Sequence, residues 1–214
     1  MNNTATVKTL QDTNPQARPN EHGSISIQGH IKIFDPQTQE VFIDKRNAIH
    51  YENFSVALAR GISNQGFGTI EKMAFGNGGT RVSETGIITY LTPNTVGVNS
   101  YLYNETYNKV IDSRSSGGGV DSSRNFMEVR HVLGTAYSDI LVSCLLDFGE
   151  PDGQAAFDNS TNTDGEFVFD EIGLKGSGTG DLLTHVIFHP VQKSLNRMIQ
   201  IDYTVRVQSL TNGI

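Results

Sequence analysis

From residue 69 onward, the apolar side chains of this sequence come in eight short stretches of six to fourteen residues: TIEKMAF (69–75), TGIITYL (85–91), YNKVID (107–112), NFMEVRHVL (125–133), ILVSCLLDF (140–148), EFVFDEIGL (166–174), LLTHVIFHP (182–190) and RMIQIDYTVRVQSL (197–210). Segments of this length, separated by Gly, Asn, Asp, Ser and Pro, read as strands. SISIQGHIKIF (24–34) adds a stricter alternation, with Ile25, Ile27, Ile31 and Ile33 on one face and Gly29 as the expected bulge. Asp35 and Pro36 suit a turn, after which VFID (41–44) returns as a hairpin partner. Many antiparallel strands joined by tight corners predict a mainly β protein, an antiparallel β-sandwich.

One segment departs from this pattern. In NAIHYENFSVALARGIS, Tyr51, Phe54, Ser55, Leu58 and Ile62 recur at three- and four-residue intervals, which predicts a single α-helix over about residues 47–62 packed on the sandwich. Asn47 is the expected N-cap, and Gly61 and Gly66 stand where C-terminal caps fall. Residues 1–23 hold Pro15, Pro19 and no apolar period, and read as an extended or disordered polar N-terminal arm. Residues 24–214 read as one β-sandwich domain, with flexible loops at SRSSGGGVDSSR (113–124) and KGSGTGD (175–181).

Charge and cysteine content narrow the function classes. A chain of 214 residues fits one domain, and a net charge of −7 opposes a phosphate backbone or an anionic membrane, so neither nucleic acid nor membrane is an expected partner. The single cysteine, Cys144, sits in an apolar run and can form no internal disulfide, which fits folding in a reducing compartment. No apolar stretch approaches the ~20 residues that span a bilayer, and the first residues lack a basic-then-apolar secretory signal.

Several stretches carry residues that could in principle support chemistry. The stretch MAFGNGGT (73–80) has the glycines of a phosphate-binding loop but no following Lys and no helix, and Arg81 stands where a dinucleotide fingerprint needs its third glycine. Gly76, Gly78 and Gly79 therefore predict a corner with positive backbone angles, by which the chain leaves one sheet for the next. Ser160, Asn162, Asp164, Gly165, Glu166 and Glu171 imitate a calcium loop, but without its leading Asp or flanking helices, and an Asx-rich turn is expected instead. His185 and His189 lie four apart around Val186, Ile187 and Phe188, which predicts two half-exposed histidines on a strand rather than zinc ligands. The acidic pairs Asp170 with Glu171 and Glu150 with Asp152 read as solvated turn residues, and no GxSxG elbow is present. The expectation is no catalytic residue, no cofactor-binding residue, no metal ligand and no enzymatic activity.

The order of motifs carries a resemblance. NAIHYENFSVALARGI leads into IEKMAFGNGGT, then YLYNETY (101–107), EFVFDEIGLK, and LLTHVIFHPVQKSLNRMIQIDYTVRV with Phe188, Pro190, Lys193, Tyr203, Thr204 and Val205. Over roughly residues 30–208 this series resembles a recurring bacteriophage virion domain of tail fibre, collar and baseplate-associated structural proteins. The resemblance implies a non-enzymatic structural subunit of a tailed phage. It would form an oligomeric ring or adaptor at the neck, collar, tail or fibre-attachment region, with other virion proteins and copies of itself as partners. It would be assembled in the bacterial cytoplasm and carried in the virion. Two alternatives share the fold class: a capsid decoration protein, and a host-surface carbohydrate-binding module whose clustered aromatics would be Tyr101, Tyr103 and Tyr107.

Overall fold

A computed structural model describes residues 23–66, 69–97, 100–111, 124–152, 167–178 and 180–211. Residues 1–22 of the expected arm, most of the 113–124 loop and the calcium-like stretch up to Glu166 lie outside the described residues. Gly23, assigned to the arm from sequence, is the first residue of a strand.

The protein is an antiparallel β-sandwich, with one helix among the described residues. The first sheet consists of β1 (Gly23–Phe34), β2 (Val41–Arg46), β8 (Phe126–His131), β9 (Tyr137–Leu146) and β12 (Ile199–Thr211), in the order β2-β1-β12-β9-β8. The second consists of β3 (Ala48–Ile49), β4 (Ile70–Gly76), β7 (Glu105–Val110), β10 (Val168–Gly176) and β11 (Thr184–Gln192), in the order β3-β11-β10-β4-β7. A separate ribbon pairs β5 (Thr80–Val82) with β6 (Ile88–Tyr90).

The alternating isoleucines explain the sandwich interior. Ile31 and Ile33 face inward beside Tyr203 and Ile201 of β12, and Val142 and Cys144 of β9 extend the same rows. Phe75, Phe169, Ile172, Leu174 and Val186 meet them from the second sheet. Each such side chain, taken fully out of water, contributes about 1.5–3 kcal/mol before the entropy of ordering is charged against it. The Tyr203 ring is buried and its hydroxyl is satisfied by the side chains of Asn47 and Thr184, so a polar bridge crosses the core from one sheet toward the other.

Gly29 is not a bulge. β1 and β12 stay in register across it, and the irregularity of the β1–β2 pair falls between Ile33 and Phe34. Gly29 is required because the Asn47 side chain lies where a Cβ would stand, with Oδ1 at 1.7 Å. Asn47 is therefore occupied with the sheet: its N–H donates to the Gly29 carbonyl at 3.1 Å and its Nδ2 donates to Tyr203.

The helix α1 (Tyr51–Ile62) begins later than expected, because His50 and not Asn47 caps it: His50 Nδ1 accepts the N–H of Asn53 at 3.3 Å. The buried stripe is confined to the middle of the helix, and its predicted end residues are open to solvent. Phe54 is buried in the core, whereas Tyr51 and Ile62 are 63% and 79% exposed and Ser55 faces solvent. Gly61 is helical, the C-cap is Ser63, and the left-handed residues beyond it are Asn64 and Gly66. Between α1 and the inner faces of β8 and β9 runs an apolar groove of about 390 Å³, lined by Phe54, Leu58, Met127, Val129 and Ile140 among others. Among the described residues, no helix is long and apolar enough to cross a membrane.

Candidate functional site

The second sheet has an unusual outer face. Ala74 and Gly76 of β4 and Gly173 of β10 leave it nearly bare of side chains, and Leu102 to Asn104 lie down on it. A Cβ on Gly76 would stand 2.4 Å from the Asn104 carbonyl, and one on Gly173 would stand 2.5 Å from that of Thr184. The glycines serve close approach of backbone to backbone. None of Gly76, Gly78 and Gly79 has a positive φ, and the chain does not cross to the other sheet: it leaves β4, forms the β5–β6 ribbon and returns as β7 beside β4. Both expectations for this corner are thereby corrected.

Beneath this segment lies a buried acid–histidine cluster. Asp170 and Glu171 are in mid-strand on β10 and are 3% and 0% exposed, not solvated turn residues. Glu171 Oε1 accepts the N–H groups of Gly78 at 3.0 Å and Asn104 at 2.8 Å, and Oε2 accepts those of Tyr103 at 2.9 Å and His185 Nε2 at 3.0 Å. Four donors fill the lone-pair positions of one carboxylate. Asp170 accepts from Gly79 and Thr80 N–H, each at 2.8 Å, and from the Thr80 hydroxyl.

The tautomer of His185 follows from its partners. Its Nδ1 accepts the N–H of Asn94 at 2.9 Å, so the proton sits on Nε2 and is donated to Glu171. His185 is fully buried and His189 is exposed, which corrects the expectation of a half-exposed pair. The cause is a register shift between β10 and β11 at Phe169–Glu171, which breaks the two-residue period between the histidines. The same irregularity lies at Asp170, where adjacent carboxylates take donors from one loop instead of facing opposite sides.

Burial and bonding pull the two carboxyls apart. Burial pushes Asp170 above its ordinary value, against the hydrogen bonds from Thr80 and Gly79, and the neighbouring Glu171 charge adds to the rise. Burial would raise Glu171 as well, but the His185 bond and the Asn104 and Tyr103 N–H groups outweigh it and hold Glu171 below the usual carboxylate range. A carboxylate with every acceptor position filled by fixed donors binds chain to chain: one side chain fastens the segments after β4 and before β7 to β11, and His185 in turn holds the Asn94 N–H.

The other sequence candidates are not gathered here as ligands. Glu171, the last residue of the calcium-like pattern, has both oxygens committed to N–H donors. Among the described residues, no group of three or more His, Cys, Asp or Glu is placed to hold a metal ion. Glu150 is paired with Lys109, and Asp152 is exposed. The three tyrosines form no common platform. Tyr101 and Tyr103 are 57% and 45% exposed, but Tyr107 packs on Phe75, 5.9 Å between ring centroids, and burial pushes its hydroxyl up to about 12. Comparison with models of known families, with curated proteins and with solved structures gave no match.

Sequence reasoning missed the cluster although a signal was present. Asp170 and Glu171 interrupt EFVFDEIGL, a stretch apolar on both faces, and mid-strand carboxylates in such a setting need fixed donors. The glycine-rich loop that supplies four of them lies some ninety residues away, with |i−j| of 93 for Gly78 and 91 for Gly79.

Proposed function

We propose that this protein is a non-enzymatic structural subunit of a tailed bacteriophage particle, acting as an oligomeric ring or adaptor at the neck, collar, tail or fibre-attachment region. The observation that carries the reading is where the motif residues fall. Gly76 to Thr80 of FGNGGT, Tyr103 and Asn104 of the YLYNETY segment, and Asp170, Glu171 and Gly173 of the DEIGL stretch all build the same buried clamp. The residues on which the resemblance rests thus fix a shape, which suits a protein whose task is to be held by its neighbours. A virion role also accords with the acidic charge and with a thiol kept inside the core.

Two measurements test it. Quantitative mass spectrometry of purified particles from the virus or prophage encoding the chain should find a few to a few tens of copies per particle, as a closed ring or set of adaptors requires. Hundreds of copies would point to capsid decoration, and absence from the particle would overturn the proposal. Deleting residues 1–22, which precede β1, should lower incorporation while leaving the sandwich folded, because that segment is the proposed contact arm to a neighbouring subunit.

A further inference from the structure

We propose that β8 is a self-pairing edge, through which two copies of this chain join antiparallel and extend the first sheet across a two-fold axis. This rests on the reading of the protein as a self-associating structural subunit and names the contact. Sheet edges invite pairing, and proteins blunt them with bulges, shortness or covering segments. Among the described residues, each other edge carries such a device. β2 pairs with a register shift, as does β7, while β3 has two residues and β5 and β6 have three each. β8 runs six residues in unbroken register with β9 and has no other strand neighbour among the described residues.

The side chains of β8 favour a copy of themselves. Val129 lies on the same face as Ile140 and Val205, yet is 69% exposed, a branched apolar side chain at an open edge. Glu128 and Arg130 flank it on the outer face and pair with each other at 2.5 Å. In an antiparallel pair centred on Val129, that residue meets Val129 of the second copy, while Glu128 faces Arg130 of the second copy and Arg130 faces its Glu128. Opposite charges directly across a strand pair stabilise it, and like charges destabilise it. The sequence Glu-Val-Arg is therefore complementary to itself in this orientation alone: an isologous contact.

The test uses the full chain in sedimentation velocity across a concentration series. The wild type should sediment at twice the 23.4 kDa monomer mass, or at a larger even multiple. Glu128→Arg places two arginines opposite two arginines, and Arg130→Glu places acids opposite acids. Each variant alone should weaken the association at least tenfold, with the β signal of the folded sandwich unchanged. An equimolar mixture of the two should recover it as a heterodimer, and the double variant Glu128→Arg/Arg130→Glu should associate like the wild type. A monomeric wild type, single variants that associate normally, or a mixture that stays apart would overturn the inference. None of these outcomes depends on particles, so the virion reading stands or falls separately.

Discussion

Gly29 and Asn47 illustrate how much one missing methyl can decide. The amide of Asn47 fills the space over Gly29 and reaches Tyr203, so the strand, the bend before β3 and the core tyrosine are settled together. Gly29→Ala is expected to cost about 1–3 kcal/mol, the usual cost of overfilling a packed site. Adding Asn47→Ala should return part of that loss, because the clash is with a side chain; a double-mutant cycle by chemical denaturation that came out additive would contradict the contact. At Gly173 no such rescue is available, since the obstacle is the Thr184 carbonyl. The sequence placed Gly29 correctly within a strand but misread its purpose. A glycine that interrupts an alternation signals either a bulge or a close approach, and only the position of Asn47 in space distinguishes them.

The clamp binds strands and loops through a few buried atoms, and it gives the fold a specific acid response. Glu171 titrates lower in the folded chain than its ordinary 4.5, so it contributes stability above that pH and loses it as pH falls through the folded value. Asp170, raised by burial, works in the opposite direction, and its neutralisation relieves a cost. Glu171→Gln isolates the first effect. At neutral pH it leaves buried N–H donors facing an amide that cannot accept from all of them, a loss of at least about 2 kcal/mol at roughly 1–3 kcal/mol per unpaired group. Calorimetry from pH 7 to 3 should show the gap in melting temperature between wild type and variant narrowing below pH 4.5; a constant gap would mean that folding does not lower the Glu171 titration. The longer strands were legible from their apolar runs, as was the helix from its period; the short β3, inside the stretch assigned to the helix, and β5 were not. The cluster was not, because pairing two carboxylates with a loop some ninety residues distant depends on tertiary contact. The histidine pair failed for a related reason: a period of two holds only as far as the next register shift.

The two sheets close over a continuous apolar interior, and Cys144 reports on its integrity. The thiol is fully buried, and burial pushes it up to about 12, so it is protonated and out of reach in the native state. Labelling by a thiol reagent should proceed only at the rate of global unfolding, rising in step with loss of the β signal in denaturant; rapid labelling of native protein would show that the sandwich opens locally at β9. That the chain forms a β-sandwich with one helix was readable from the length and spacing of its apolar runs. The order of strands was not, since nothing local in SISIQGHIKIF names RMIQIDYTVRV as its neighbour. The order has a consequence for biosynthesis. β12 lies between β1 and β9, so the first sheet stays split in two halves until the last described strand has been made. A nascent chain halted before Ile199 leaves the β12-facing edge of β1 open along its whole length, a template for clumping with its siblings on the same message.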